Sequence, residues 1–182
     1  LSMPSVRFAV EFTPIESGCG FDRSGCDQIH FTMSANAGEE LGRISRIASG
    51  GELSRIMLAM KNVFAENDPV QTMIFDEIDT GVSGVAAQRV GEKLFQVSLG
   101  KQVMCVTHLP QIAAMADSHY VIKKEERSGR TYTDVLPLDK EGRLRELARL
   151  HGGDNITELT LASAAEQLEN AAKFKETVKK RP

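Results

Sequence analysis

Two stretches near the start of the chain alternate between apolar and polar residues, as strands do. The first covers residues 6–12. The second covers residues 28–34, where three apolar side chains fall on one face. Residues 14–25 between them hold glycines, a proline and scattered polar residues, a composition typical of a loop. The pattern predicts a pair of antiparallel strands joined by a long connection.

After residue 50 the period of the apolar residues changes to that of a helix. The apolar positions with helical spacing are Leu53, Ile56, Met57, Met60, Val63 and Phe64. We expect this helix to stop at Asn67-Asp68-Pro69, because the residue before a proline disfavours helical geometry. Residues 70–75 and 102–107 are short, mostly apolar runs, which are typical of strands buried on both faces.

The order of elements after residue 70 predicts the fold class. Residues 83–98 lie between the two apolar runs and favour a helix with Val90, Leu94 and Val97 inward. Further elements are predicted as a short helix at 110–116, a hairpin at 120–123 and 131–136, a helix ended by Gly152-Gly153, and a final helix at 156–173. We therefore expect an α/β fold with a mostly parallel sheet and crossover helices, plus an antiparallel N-terminal strand region.

Composition removes several classes of protein. The chain of 182 residues has a globular mixture of apolar and charged residues, with a net charge of −3. That charge alone does not favour nucleic-acid binding. No apolar run is long enough to span a membrane, and residues 1–4 are not a secretory signal. Cys19, Cys26 and Cys105 form neither a zinc pattern nor an even disulfide set, which favours a reducing compartment.

The motif Ser49-Gly50-Gly51-Glu52 opens the first long helix. A serine followed three residues later by glutamate is a capping box, and a well-capped helix is its plain interpretation. Two consecutive glycines are not needed for capping, and they weaken the first helical turn. They do leave the N-terminal amides bare, and bare amides at a helix N-terminus suit a phosphate group. The motif is therefore a candidate anion site.

Polar residues follow both apolar strands at the ends where ligands bind in α/β sheets. Asp76 and Glu77 come directly after the first strand. One carboxylate there can help hold Mg²⁺, commonly through water, and the next can orient or deprotonate a water molecule. His108 follows the second strand and would share their edge if the strands are parallel neighbours. Its ring could then donate a hydrogen bond to a phosphate.

A phosphate-cradling loop of the form G-x-x-x-x-G-K-[S/T] is missing. The Gly100-Lys101 pair is followed by Gln102, and Phe95 occupies the required upstream glycine position. We therefore expect this chain alone to bind nucleotide poorly and to be inactive as an ATPase.

In this order, the motifs resemble the C-terminal half of an ABC-type ATPase head. Ser49-Gly50-Gly51-Glu52 resembles the signature motif, with Ala48 where many members have leucine. Ile74-Phe75-Asp76-Glu77 resembles Walker B, and Ile78-Asp79-Thr80-Gly81 resembles the D-loop. His108 resembles the switch histidine. Glu52, where transporters usually carry glutamine, indicates the SMC-like branch.

Longer stretches resemble the RecN family of bacterial DNA repair proteins. These are Ser34-Ala35-Asn36, residues 47–55, residues 75–84, and Thr107-His108-Leu109-Pro110-Gln111-Ile112-Ala113, together with residues 156–168. In that family a Walker A lobe comes first, then a long antiparallel coiled coil, then a segment like this one. The missing phosphate loop and the non-methionine start are what that layout implies, so we expect an excised fragment.

The resemblance implies roles for the motif residues. Asp76 would help hold Mg²⁺ through water, Glu77 would activate water, and His108 would contact the γ-phosphate of ATP. Ser49, Gly50, Gly51 and Glu52 would bind the ATP held by a second head, and Asp79 would couple the two sites. The expected partners are the Walker A lobe and coiled coil of the same protein, a second head in an ATP-dependent homodimer, and DNA. The expected location is the bacterial cytoplasm, at the nucleoid.

The resemblance also implies a domain organisation. Residues 1–182 would be one C-terminal lobe, divided into a strand and loop region at 1–45, the motif-bearing core at 46–137 and C-terminal helices at 138–182. The implied function is ATP-driven head dimerisation in repair of DNA double-strand breaks and recombination. Two alternatives stay open: a head of another SMC-like ATPase, and a non-catalytic interaction module on a degenerate ABC fold.

Overall fold

The structure, a computed structural model, describes residues 6–16, 18–34, 38, 40–47, 50–64, 69–127 and 129–180, with the side chains of residues 45 and 47 excepted. Within these ranges the strands are β1 (Arg7–Pro14), β2 (Asp27–Ser34), β3 (Gly42–Arg43), β4 (Thr72–Phe75), β5 (Gln102–Cys105), β6 (Tyr120–Arg127) and β7 (Arg130–Pro137). The helices are α1 (Ile44–Ile47), α2 (Gly50–Phe64), α3 (Gly84–Ser98), α4 (Pro110–Ala113), α5 (Lys140–Gly152) and α6 (Glu158–Lys179).

The predicted N-terminal strand pair is confirmed as an antiparallel hairpin. β1 and β2 pair along their whole lengths, from Arg7 opposite Ser34 to Pro14 opposite Asp27, and the short β3 extends the sheet. Alternation places Phe8 and Phe31 on the same face, where their rings stack with centroids 5.7 Å apart. Both rings stay about half exposed, so this face is only partly covered by the described residues.

The centre of the fold is a strand, helix, strand unit that the sequence pattern predicts. β4 and β5 are parallel neighbours, with Ile74 opposite Met104, and α3 is the crossover between them. The predicted inward residues of α3 are buried. The core around this unit consists of Leu58, Met73, Phe75, Ile78, Val90, Leu94, Val97 and Ile112. The α/β fold class is therefore confirmed, and the parallel part of it in the described residues is this one pair.

The prediction that both central strands are buried on two faces is wrong for this chain. Met73 and Phe75 face the core, but Ile74 is 70% exposed. Met104, its partner on β5, is 53% exposed, and Val106 continues the same open face. An apolar run makes it possible to bury both faces of a strand. Both faces are buried only where another element packs on each of them. In the described chain α3 contributes to the core on one side, and the open face comprises Ile74, Met104 and Val106.

The helix predicted after residue 50 is also present, but much of its apolar stripe faces outward. Leu53 and Met57 are each about two-fifths exposed, whereas Arg55 and Leu58 on the inner side are buried. Between α2 and β4 lies a shallow groove of about 390 Å³, whose lining includes Leu53, Met57 and Ile74. Periodicity identifies an apolar face, but it does not identify the element that covers that face.

A second cluster of buried residues joins α4, α5 and α6 at the far side of the core. Its members include Ala113, Met115, Leu147, Ala148 and Ala164. Two predicted helix boundaries are confirmed: α4 starts with Pro110, and α5 ends at Gly152 before Gly153, whose φ is +76°. The predicted end of the short helix at residue 116 is wrong, because α4 ends at Ala113. β6 and β7 form the predicted hairpin. Among the described helices, none combines the length and the apolar character that crossing a bilayer requires.

Candidate functional site

The parallel pairing of β4 and β5 brings the polar residues that follow each strand to one edge of the sheet. Asp76 and Glu77 follow β4, and Thr107 and His108 lie just beyond β5. The ladder continues past β5, since the Val106 amide donates to the Phe75 carbonyl at 2.9 Å. The expectation that His108 shares the edge of the two carboxylates therefore agrees with the strand pairing.

Glu77 has an unusual backbone conformation. Its φ is +57°, the only positive value among the described non-glycine residues. Its amide donates to Asp76 Oδ1 at 3.0 Å, and its carbonyl accepts from the Thr80 amide at 3.1 Å. A glutamate in the left-handed region is disfavoured, and such residues concentrate at functional sites where surrounding contacts hold them. Both carboxylates are exposed at this turn, so they are available to a ligand.

Asp79 is buried below this turn and connects it to the segment after β5. Its side chain is 4% exposed. Its Oδ2 accepts from the Thr107 hydroxyl at 2.6 Å and from the His108 amide at 2.9 Å, and it lies 3.0 Å from His108 Nδ1. The His108 side chain is otherwise 74% exposed. The structure thus brings Asp79 and His108 into direct contact within one chain, a contact that sequence reasoning did not predict.

The N-terminus of α2 packs directly on the turn after β4. Gly51 is buried, and a Cβ built on it would lie 2.8 Å from Thr80 Cβ and 2.9 Å from the Thr80 carbonyl oxygen. A Cβ on Gly50 would meet only Glu77 Oε2, at 3.1 Å. The second glycine is therefore required by packing inside the chain, a reason that the sequence motif did not reveal. Gly50 is exposed, so its bare backbone remains accessible.

This difference predicts that Gly51→Ala is destabilising and Gly50→Ala is not. Alanine gains about 1 kcal/mol over glycine within a helix, but overpacking against fixed atoms costs about 1–3 kcal/mol. At Gly51 the nearby carbonyls cannot move cheaply, so we expect a net loss of about 1–2 kcal/mol in the free energy of unfolding.

Urea denaturation at constant m-value measures both variants, and Gly50→Ala is the matched control because its single neighbour is the end of a flexible side chain. Equal stability of the two variants would contradict the close packing at Gly51.

Two side chains of α2 hold the same turn and were missed by sequence reasoning. Arg55 is 6% exposed, and its Nη1 donates to the Thr80 carbonyl at 2.7 Å and to the Ile78 carbonyl at 3.4 Å. The Ser54 hydroxyl donates to the Asp76 carbonyl at 3.2 Å. The sequence pattern gave no signal for Arg55, because its burial is seen only in the structure, where a buried charge is rarely without partners.

Cys105 lies beneath the site but does not supply a nucleophile. Burial, followed in size by the negative charges of Asp79 and Asp76, raises the pKa of its thiol to about 12. The thiolate is the reactive form of cysteine, so this side chain stays an inert thiol at neutral pH.

Not every predicted site residue lies in the described part of the chain. Ser49 falls outside the described residues, so its capping and anion-binding roles stay predictions. Glu52 lies in the first turn of α2 and is half-buried. Within the described residues, no three His, Cys, Asp or Glu side chains converge on a metal position. A Mg²⁺ ion carried by nucleotide phosphates needs only one or two carboxylates, so exposed Asp76 fits that kind of binding.

The sequence is similar to proteins named DNA repair protein RecN. It is 50% identical over 153 residues to the protein of Bacillus subtilis, covering 84% of this chain and 27% of that protein. It is 45% identical over 176 residues to the protein of Halalkalibacterium halodurans, covering 96% of this chain and 31% of the relative. It is 42% identical over 168 residues to that of Vibrio cholerae, covering 92% and 30%. No family model matches the chain.

Over most of its own length, the chain is similar in sequence to these RecN proteins. It spans 27% to 31% of the length of these relatives, so the similarity is to a segment of them. The resemblance of the motifs to RecN is confirmed.

Solved structures support the fold of this chain. An Smc head domain with a coiled coil and joint, derived from Pyrococcus yayanosii, has a TM-score of 0.57 at 23% identity, covering 82% of this chain and 26% of that one. An Smc head domain with an extended coiled coil bound to the C-terminal domain of ScpA, derived from Pyrococcus furiosus, has a TM-score of 0.51 at 24% identity, covering 81% and 34%. The fold is that of part of an SMC-type head.

Proposed function

We propose that this chain is the C-terminal half of an ATP-hydrolysing head in a RecN-like protein that repairs DNA double-strand breaks by recombination. One observation carries the proposal. In a RecN-family sequence, the turn with Asp76 and Glu77 lies at one sheet edge with His108, and the N-terminus of α2 packs on that turn. Nothing in the packing of the core requires two exposed carboxylates and an exposed histidine at this edge.

Within one head, we assign the polar residues of the sheet edge to charge stabilisation and water activation. Glu77 would accept a proton from the attacking water, which its exposed carboxylate permits. Asp76 would help hold Mg²⁺ through water, and that ion would neutralise charge on the phosphates of ATP. His108 would contact the γ-phosphate through the ring nitrogen that faces away from Asp79.

A second head would meet the other end of the same ATP through the start of α2. Backbone amides at a helix N-terminus favour an anion, and Gly50 leaves them uncovered. We assign Ser49, Gly50, Gly51 and Glu52 to this contact across an ATP-dependent homodimer. In each head, α2 packs on the turn that carries Glu77 and Asp79. ATP contact at the start of α2 would therefore affect the hydrolytic residues of the head to which that helix belongs.

The open apolar face predicts where the rest of the head would pack. Ile74 and Met104 are more than half exposed, side by side, on the face of the parallel pair that the described residues leave open. We propose that the Walker A lobe of the same protein covers this face and supplies the phosphate loop that the chain lacks, with the coiled coil connecting the two segments. The whole chain, with its strand region at 1–45, core at 46–137 and helices at 138–182, would then be one lobe of a head.

The DNA role rests on the similarity to proteins named for DNA repair. Several exposed arginines are paired with carboxylates inside the chain: Arg127 with Glu125 and Asp134, Arg145 with Glu141, and Arg149 with Glu146. Such pairing reduces the charge that these arginines could offer to phosphate groups. We therefore assign DNA binding to the full-length protein.

Mg²⁺-dependent ATP hydrolysis tests the proposal. The 182-residue chain is measured alone and after mixing with a separately produced Walker A lobe. We expect no activity from the chain alone and activity on mixing that requires Glu77. Activity of the chain alone would contradict the half-head assignment. If neither the mixture nor the full-length protein hydrolysed ATP, the result would favour the non-catalytic module. A full-length protein that hydrolyses ATP but has no role in the repair of DNA breaks would favour another SMC-like ATPase.

A further inference from the structure

The His108 side chain contacts Asp79 through one ring nitrogen, although most of the side chain is exposed to solvent. The ring lies 3.0 Å from the Asp79 carboxylate at Nδ1, while 74% of the side chain is exposed. An exposed histidine with no fixed partner samples several rotamers and both tautomers. A single buried carboxylate at Nδ1 removes that freedom, because an ionised carboxylate only accepts hydrogen bonds.

The carboxylate itself is fixed by groups that leave it one orientation. Asp79 Oδ2 accepts from the Thr107 hydroxyl and from the His108 amide as well as facing Nδ1. The Thr107 hydroxyl in turn accepts from the Leu109 amide at 3.1 Å, so its proton is directed to Asp79. All these partners lie within three consecutive residues after β5. Asp79 therefore controls the backbone and the side chain of His108 together.

We propose that Asp79 is the positioning residue of His108, holding the ring with Nδ1–H inward so that Nε2 is the nitrogen that meets a ligand. The hydrogen bond made by one ring nitrogen decides which nitrogen carries the proton in the neutral ring. With Nδ1–H committed to Asp79, Nε2 can accept a proton and can then donate to an anionic oxygen without any rotation of the ring. The identity of that anion as an ATP phosphate rests on the proposed function.

This assignment gives Asp79 a role inside its own head. A carboxylate that is 4% exposed, and whose Oδ2 already faces Thr107 and His108, offers little accessible surface to a partner across a dimer. Its effect on a second head would pass through His108 and the turn.

Nitrogen NMR of the 182-residue chain with ¹⁵N-labelled histidine tests the inference, because the two ring nitrogens report the tautomer directly. The signals of His108 are assigned with His108→Gln, at a pH where the ring is neutral. We expect Nδ1 to carry the proton in the wild-type chain. In Asp79→Ala the acceptor is gone, and we expect the majority tautomer to change to Nε2–H, which an unconstrained imidazole prefers.

Asp79→Asn is the conservative control. The His108 amide can only donate, so the amide oxygen of asparagine must occupy the place of Oδ2, where it can still accept from Nδ1. We expect the Nδ1–H tautomer to be retained. Thr107→Val removes one donor to Asp79 without touching the ring contact, and it should also leave the tautomer unchanged.

Two results would overturn the inference: an Nε2–H ring in the wild-type chain, or an unchanged Nδ1–H ring in a folded Asp79→Ala variant. The backbone spectrum of each variant checks folding. Should Asp79→Ala not fold, the wild-type and Asp79→Asn tautomers decide, since both must be Nδ1–H. The tautomer is measured without nucleotide, so an inactive ATPase would refute the proposed function alone, and a reversed tautomer would refute this inference alone.

Discussion

Replacing Glu77 with glutamine is expected to lower ATP hydrolysis by the assembled protein about 100- to 10,000-fold, the usual contribution of a general base. Glutamine keeps the size and the hydrogen-bonding reach of glutamate but cannot take a proton from water. ATP binding should persist, because the substitution leaves the α2 N-terminus, Asp76 and His108 unchanged. The variant should therefore accumulate in the ATP-bound, closed dimer.

Steady-state hydrolysis, nucleotide binding and size-exclusion chromatography with ATP measure these effects separately. Glu126→Gln is a suitable control, because this glutamate is exposed on β6, away from the sheet edge that carries Glu77. Normal turnover by Glu77→Gln would remove Glu77 from the proposed role. Loss of ATP binding as well would assign Glu77 to the binding of ATP.

The second large effect is expected on stability, from Arg55→Met. Methionine fills similar space, but it leaves the Thr80 and Ile78 carbonyls without their buried donor. Hydrogen bonds from a charged group contribute about 1.5–3 kcal/mol, and buried acceptors left unpaired add to the loss. We expect the free energy of unfolding to fall by about 2–3 kcal/mol, mainly by loosening the turn between Asp76 and Thr80.

The matched control is Arg145→Met on α5. Arg145 is 66% exposed and pairs with Glu141, which is also exposed, so its loss should cost no more than about 0.5 kcal/mol. Urea denaturation gives both values on one scale. If Arg55→Met destabilised the chain no more than the control does, the hydrogen bonds to the turn would be energetically unimportant.

Periodicity predicted the elements of the fold better than their surroundings. The inward residues of α3 could be predicted because Val90, Leu94 and Val97 form one apolar stripe at helical spacing. The open face at Ile74 could not, since the same apolar run describes a strand covered on two sides or on one. On α2 the pattern showed the apolar stripe, while the buried inner side depends on Arg55, which no apolar count includes.

The candidate site likewise combines residues that the sequence pattern places with contacts that it does not predict. Strand ends and motif order were sufficient to place Asp76, Glu77 and His108 at one edge. The contact between Asp79 and Thr107 joins residues 28 positions apart, and that between Arg55 and Thr80 joins residues 25 apart. Such contacts depend on how the elements pack, which sequence spacing does not determine. The left-handed backbone of Glu77 is likewise imposed by the turn, because glutamate itself disfavours it.

The packing of α6 on the Phe95 side chain of α3 has a consequence for the synthesis of the protein. This ring is 3% exposed because α6 lies against it, with Phe174 at 6.4 Å between ring centroids and the ammonium groups of Lys175 and Lys179 above it at 5.2 and 5.8 Å. Because α3 is synthesised before α6, this aromatic ring stays uncovered in the nascent chain until α6 has left the ribosome and packed on it. Translation that ends before α6 would leave the ring exposed to solvent, and such exposed apolar surface favours aggregation.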